Sequence, residues 1–143
     1  MNGKIFTLRN LYQSGTEKLE KAGIREAKLD AWYLLEYKTG ISRAVFLADP
    51  DREVEEEKAE SYQKDICTRA RRIPLQHITG EQEFMGLNFK VNENVLVPRQ
   101  DTEILVEEAL KRIRPDMQIL DMCTGSGCIL GSILKFGEKN RCI

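Results

Sequence analysis

The sequence predicts an α+β protein: an N-terminal helical bundle, a β-hairpin, and then the first βα unit of an α/β domain. Three observations carry that reading. Apolar residues recur at three- and four-residue steps through roughly the first seventy positions, and a strand-like pattern takes over between Glu81 and Val91. Finally, an apolar run (Met117, Ile119, Leu120) meets a glycine turn that leads into a second apolar segment (Ile129, Leu130, Ile133, Leu134).

In chain order, Leu8, Leu11, Tyr12, Gly15, Leu19 and Ala22 form one helical stripe, which Gly23 punctuates. Ala27, Ala31, Leu34 and Leu35 continue on a second helix ending near Gly40, with Trp32, Tyr33 and Tyr37 widening its apolar face. Ser42 is the expected N-cap of a short helix through Val45, Phe46 and Leu47, and Pro50 ends it. Asp51, Glu53, Glu55 and Glu56 place acid in the first turn of a long helix whose apolar line is Ala59, Tyr62, Ile66, Ala70 and Ile73. Arg69, Arg71 and Arg72 make its last turn basic, so both ends complement the helix dipole. The acids Glu55, Glu56 and Glu57 read as a solvated face. The arginines read as a helix end, with a patch for RNA or an acidic partner as the alternative.

The texture changes at Pro74. Phe84, Leu87, Phe89 and Val91 are strand-like and Met85-Gly86 falls between them as a turn, which makes Glu81–Val91 a hairpin. Val95-Leu96-Val97-Pro98 is a short extended piece. Asp101-Thr102-Glu103 opens another helix, with Ile104, Leu105, Ala109, Leu110 and Ile113 apolar and Pro115 ending it. The expected division is a helical domain over 1–73, a linker with the hairpin over 74–98, and the start of an α/β domain over 99–143.

The segment Asp121-Met122-Cys123-Thr124-Gly125-Ser126-Gly127-Cys128 carries the chemistry. Strand, glycine turn and helix start in that order open a Rossmann-like nucleotide-cofactor fold. Glycine reaches positive φ cheaply and leaves room for a ligand against the backbone. The helix start presents free N–H groups and a positive dipole end, which favour a carboxylate or phosphate. Asp121 either orients the loop or meets a cation. A dinucleotide fingerprint needs a third glycine where Leu130 stands, and Gly131 comes one position late. The acid-x-G-x-G-x-G pattern of S-adenosylmethionine sites fits better, except that Cys123 stands for the first glycine, an exchange that a negative φ would tolerate. The alternative is a plain strand–turn–helix with no ligand.

Composition bounds the rest. The 143 residues carry a net charge of −1, with 31% charged residues, which gives no global basic field for nucleic acid. The apolar runs are far too short to span a bilayer, and Met1-Asn2-Gly3-Lys4 lacks the apolar stretch of a secretory signal. Cys67, Cys123, Cys128 and Cys142 show no C-x-x-C spacing, so reduced thiols in a cytoplasm are expected. Cys123 and Cys128 are expected to be buried and inert. With one histidine, a histidine-rich metal site is implausible, and no metal is expected.

Three stretches in register carry a family resemblance: Pro74-Leu75-Gln76-His77-Ile78-Thr79-Gly80-Glu81-Gln82-Glu83-Phe84-Met85-Gly86, Val97-Pro98-Arg99-Gln100-Asp101-Thr102-Glu103, and the glycine bend. Together they resemble the release-factor glutamine methyltransferases of the HemK type, over essentially the whole chain. The resemblance implies methyl transfer from S-adenosyl-L-methionine to the side-chain amide of the glutamine in the Gly-Gly-Gln loop of a class 1 peptide chain release factor. It implies a helical N-terminal domain that helps grip that partner. It also implies cofactor contacts from Asp121, Cys123, Thr124, Gly125, Ser126 and Gly127, with Arg99 and Thr102 lying over the same pocket. Surface roles remain the alternatives for those last two: Arg99 paired with Asp101 or Glu103, and Thr102 as a helix-start hydroxyl. Gln100 stands where the family often has proline, and His77 where it is often aromatic, as a packed linker residue.

The family's catalytic Asn-Pro-Pro-Tyr does not occur in these residues. The expectation is therefore an N-terminal fragment with no catalytic residue of its own, inactive alone and binding cofactor weakly or not at all. Its short strand Gln118–Met122 is expected to pair with Arg141–Ile143, the hairpin, or another copy. An adenine amino-methyltransferase of nucleic acid and a non-catalytic protein-binding helical module are the competing functions. Direct nucleic-acid binding and membrane association are not expected.

Overall fold

The computed structural model describes residues 5–137 and 141–142, and the chain divides into two compact units, 1–79 and 80–143. Both helices and strands are present, as the α+β reading requires.

The first unit contains β1 (Phe6–Thr7), α1 (Leu8–Lys21), α2 (Ala27–Thr39), α3 (Arg43–Ala48), β2 (Glu53–Val54), α4 (Glu56–Ala70) and α5 (Leu75–Thr79). Three of these helices begin or end for a local reason. The Thr7 hydroxyl accepts from the Asn10 N–H to cap α1, and Ser42 accepts from Val45 N–H to cap α3. Gly40, at φ 70°, closes α2 in the left-handed conformation. α1, α2 and α4 pack on one another around Leu8, Leu11, Leu19, Ala31, Leu34, Leu35, Ala59, Tyr62 and Ile66, none more than 2% exposed.

Polar contacts tie the same helices. Arg69 Nε donates to Asp30 Oδ2 at 2.7 Å, and its Nη1 donates to the Ile73 carbonyl. Arg72 reaches the Ala22 carbonyl. Two of the three basic side chains at the end of α4 thus serve the unit's own packing, the helix-end reading of that cluster.

Several details depart from the sequence reading. Glu53 lies in β2, antiparallel to β1 with Thr7↔Glu53 and Phe6↔Val54, and so precedes the helix instead of opening it. Tyr33 and Tyr37 are about half exposed and do not widen the buried face, while Trp32 is buried. Ile73 lies beyond the end of α4 and is 40% exposed. Residues 75–79 form α5, packed on α2 and α4, within a stretch that carried no helical periodicity.

The second unit contains β3 (Glu81–Phe84), β4 (Leu87–Lys90), α6 (Asp101–Leu110), β5 (Gln118–Ile119), α7 (Cys128–Phe136) and β6 (Arg141–Cys142). β3 and β4 form the expected hairpin, Glu81↔Lys90 through Phe84↔Leu87. Met85 (φ 52°) and Gly86 (φ 69°) are both left-handed, the geometry that matches strand twist in a two-residue turn. The Met85 N–H donates to the Glu103 carboxylate at 2.7 Å, which fastens that turn to α6. Phe84, Val106, Cys128 and Ile133 form the core. β5 and β6 are parallel, with Gln118↔Arg141 and Ile119↔Cys142, and α7 makes the connection. This selects the first of the three pairings considered for β5; Ile143 lies outside the described residues. β5 stops at Ile119, so Asp121 follows the strand instead of closing it.

Gly15 tests the packing of the first unit. A Cβ there would stand 2.0 Å from the Tyr62 hydroxyl and 3.1 Å from Ile66 Cδ1, and Tyr62 is fully buried. Alanine gains about 1 kcal/mol in helix propensity. Overpacking a locked core costs about 1–3 kcal/mol, so the clash prevails. Gly15→Ala is expected to lower Tm by roughly 5–10 °C in thermal unfolding; an increase would show that α1 and α4 separate freely.

Candidate functional site

The bend from Cys123 to Gly127 lies between β5 and α7, outside any helix. Its backbone alternates into the left-handed region at Cys123 (φ 63°), Gly125 (φ 59°) and Gly127 (φ 77°). Thr124 Oγ1 donates to Asp121 Oδ2 at 2.8 Å, so the carboxylate after the strand orients the loop. The Gly127 N–H donates to the Thr124 carbonyl at 2.9 Å and closes the turn. α7 then begins with no side-chain cap, which leaves its first N–H groups without a side-chain acceptor.

The bend forms one wall of a cleft of about 380 Å³. Cys123, Thr124, Gly125 and Ser126 line it from that side; Leu96, Val97, Pro98, Arg99, Asp101 and Thr102 line the other, with Cys128 and Ile129 also contributing. Six of the eight residues expected at a cofactor therefore share one cavity. Asp121 and Gly127 are not among its lining and act on the bend's conformation. Arg99 is exposed, and among the described residues its guanidinium forms no ion pair; the Glu103 carboxylate instead holds the Met85 N–H. Thr102 stands in the first turn of α6, its N–H donating to the Arg99 carbonyl at 3.1 Å. Leu96, Val97, Pro98 and Asp101 were not singled out as site residues, although Val97-Pro98 and Asp101 flank Arg99 in one of the motif stretches.

The cleft suits a ligand with an apolar body and an anionic end. A Cβ built on Gly127 meets nothing within 4 Å, and one on Gly125 only the Cys123 carbonyl at 3.9 Å. These glycines serve the φ angles, and the space beside them is open. One unpaired guanidinium and an uncapped helix start supply the cationic side.

Cys123 is exposed where burial is expected, while Cys128 is buried. Its φ is positive, so the condition under which the exchange for glycine would be tolerated is not met. The backbone of the bend takes the glycine conformation at this position regardless of the side chain. Gly131, one place late for a third fingerprint glycine, has a use of its own: a Cβ there would stand 2.9 Å from the Phe89 ring, so it lets α7 approach the hairpin.

A larger groove of about 730 Å³ lies on the first unit, lined among others by Tyr12, Leu29, Trp32, Tyr33 and Arg43. Charged side chains border it as well (Glu20, Arg25, Glu26, Lys28 and Arg43), but none of the eight residues expected at a cofactor lines it. No helix among the described residues is long and apolar enough to cross a membrane.

Comparison with known proteins gives a consistent picture. Residues 10–80 match the PrmC N-terminal domain family. The chain is 42% identical over 124 residues to a release factor glutamine methyltransferase of Clostridium botulinum, covering 85% of this chain and 44% of that one. It is 39% identical over 137 residues to the protein of the same name from Moorella thermoacetica, 94% of this chain and 48% of the relative. It is 37% identical over 132 residues to that from Geobacter sulfurreducens, 92% and 46%. The chain spans about half the length of these curated relatives.

The strain at Cys123 has a measurable size. A left-handed residue with a Cβ costs about 1–2 kcal/mol, and glycine returns about 0.5–1 kcal/mol of that as unfolded-state entropy. Cys123→Gly is therefore expected to raise stability by about 0.5–1 kcal/mol, read as a higher denaturation midpoint in urea. An unchanged or lower midpoint would show that the thiol makes compensating contacts.

Proposed function

The chain belongs to the release factor glutamine methyltransferase family, and we propose that it serves S-adenosylmethionine-dependent methylation of a glutamine side-chain amide. The acceptor is the Gly-Gly-Gln glutamine of a class 1 peptide chain release factor, and the setting is translation termination in the cytoplasm. The observation that carries this reading is the single cleft shared by the glycine bend and the Arg99–Thr102 segment.

The donor, when bound, supplies an electrophilic methyl group on a sulfonium. The residues of this chain bind and orient it. Arg99 and the first N–H groups of α7 would hold its carboxylate, the Ser126 hydroxyl would be free to donate to it, and Leu96, Val97 and Ile129 would form the apolar wall. An amide nitrogen is a poor nucleophile because its lone pair is delocalised, so catalysis rests on orientation and on hydrogen bonds that favour attack. The Asn-Pro-Pro-Tyr that provides those in the family is not among these residues. The part these residues take in the reaction is therefore to bind and place the donor. Its helical unit contributes partner recognition, which the exposed Leu29 and Tyr33 on the large groove support. No comparable observation favours nucleic acid.

Titration calorimetry is expected to show weak, saturable uptake of S-adenosylmethionine. Arg99→Ala should weaken it about tenfold, the worth of one charge-assisted hydrogen bond. Uptake indifferent to both Arg99→Ala and Gly125→Val would place the donor elsewhere. In a pull-down with a class 1 release factor, the chain is retained and the double variant Leu29→Glu, Tyr33→Glu is retained several-fold less. Equal retention would remove the groove from the recognition surface.

A further inference from the structure

On the first unit, remote in sequence from the bend, Lys18 Nζ lies 2.8 Å from Cys67 Sγ. The two residues are 49 positions apart, one near the end of α1 and the other near the end of α4, and both are exposed. A cavity of about 240 Å³ opens beside them, lined by Ser14, Gly15, Tyr62, Gln63 and Ile66 as well as the pair. We propose that Lys18 and Cys67 form an oxidant-responsive modification site, at which hydrogen peroxide converts the pair into a covalent sulfur–nitrogen cross-link between α1 and α4.

The argument is one of held geometry. A neutral or charged nitrogen gains little from a thiol as a hydrogen-bond acceptor, because sulfur accepts weakly. What the contact does supply is proximity. The helices are locked together by Leu11, Leu19, Tyr62 and Ile66, each no more than 2% exposed, so an amine and a thiol that meet across them stay together. A reaction between two such groups proceeds as a unimolecular step, with an effective concentration far above that of any free amine. The cavity admits a molecule as small as peroxide to the sulfur. Cys123, also exposed, has no such neighbour among the described residues.

The chemistry balances in two steps. Peroxide oxygen bonds to Cys67 sulfur as the O–O bond breaks; the sulfur loses two electrons, the peroxide gains them, and sulfenic acid and water result. The free amine of Lys18 then attacks the sulfur, an N–S bond forms, the S–O bond breaks, and a second water leaves. A thiol reductant attacks the sulfur of the N–S bond, frees the lysine and, with a second thiol, restores the cysteine. The link closes a long loop, so it stabilises the helical unit by restricting the unfolded chain.

The test treats the full chain with hydrogen peroxide, digests it and analyses the peptides by mass spectrometry. The expected product joins the Lys18 and Cys67 peptides, weighs their sum less two hydrogens, and separates on dithiothreitol treatment. The oxidised protein melts several degrees higher than the reduced one. Lys18→Arg is expected to abolish the link and the shift while leaving Cys67 open to oxidation, and Cys67→Ser to abolish both. Cys67 recovered only as unlinked oxygenated forms, or as a disulfide between chains, at the same extent in the native protein and in Lys18→Arg, would overturn the proposal.

Discussion

The candidate site depends on a backbone constraint: three of the five residues from Cys123 to Gly127 lie in the left-handed region. That alternation turns the chain sharply enough for β5 to hand over to α7, whose start carries no side-chain cap. Asp121 stabilises it through the Thr124 hydroxyl, and the Thr124 carbonyl closes it through the Gly127 N–H. Remove the alternation and the cleft loses one wall, because the opposite wall, around Arg99, is set independently by the start of α6.

Much of this was legible in the sequence. Caps declared themselves through residue type, as at Ser42 and Gly40, and the long helices through apolar spacing that survives as burial at Leu11, Leu19, Tyr62 and Ile66. The hairpin was readable because Met85-Gly86 separates two short strands. The cleft was readable because its two walls are contiguous motifs, each with residues whose chemistry has few other uses.

What escaped has physical reasons. β1 and β2 are two residues each, a single period of strand alternation with no repeat, so no pattern can reveal them. α5 is five residues long and follows Pro74, and its helicity comes from packing on α2 and α4 rather than from propensity. Tyr33 and Tyr37 were assigned to the buried face because aromatic residues are read as apolar; the Tyr37 hydroxyl in fact donates to the Thr79 carbonyl from a half-exposed side chain. The φ of Cys123 was invisible because side-chain identity argued one way and the turn required the other. Tertiary demand prevailed there over local preference.

The β5–β6 pair has a further consequence for handling the protein. Among the described residues these two short parallel strands pair only with each other, and Leu120 (66%) and Met122 (78%) are exposed just beyond β5, so the edges can offer hydrogen bonds to an extended chain. Parallel sheets are ordinarily covered on both faces. Pairing between copies along these edges is therefore a route to self-association at high concentration, and a mild detergent that covers Leu120 and Met122 would oppose it.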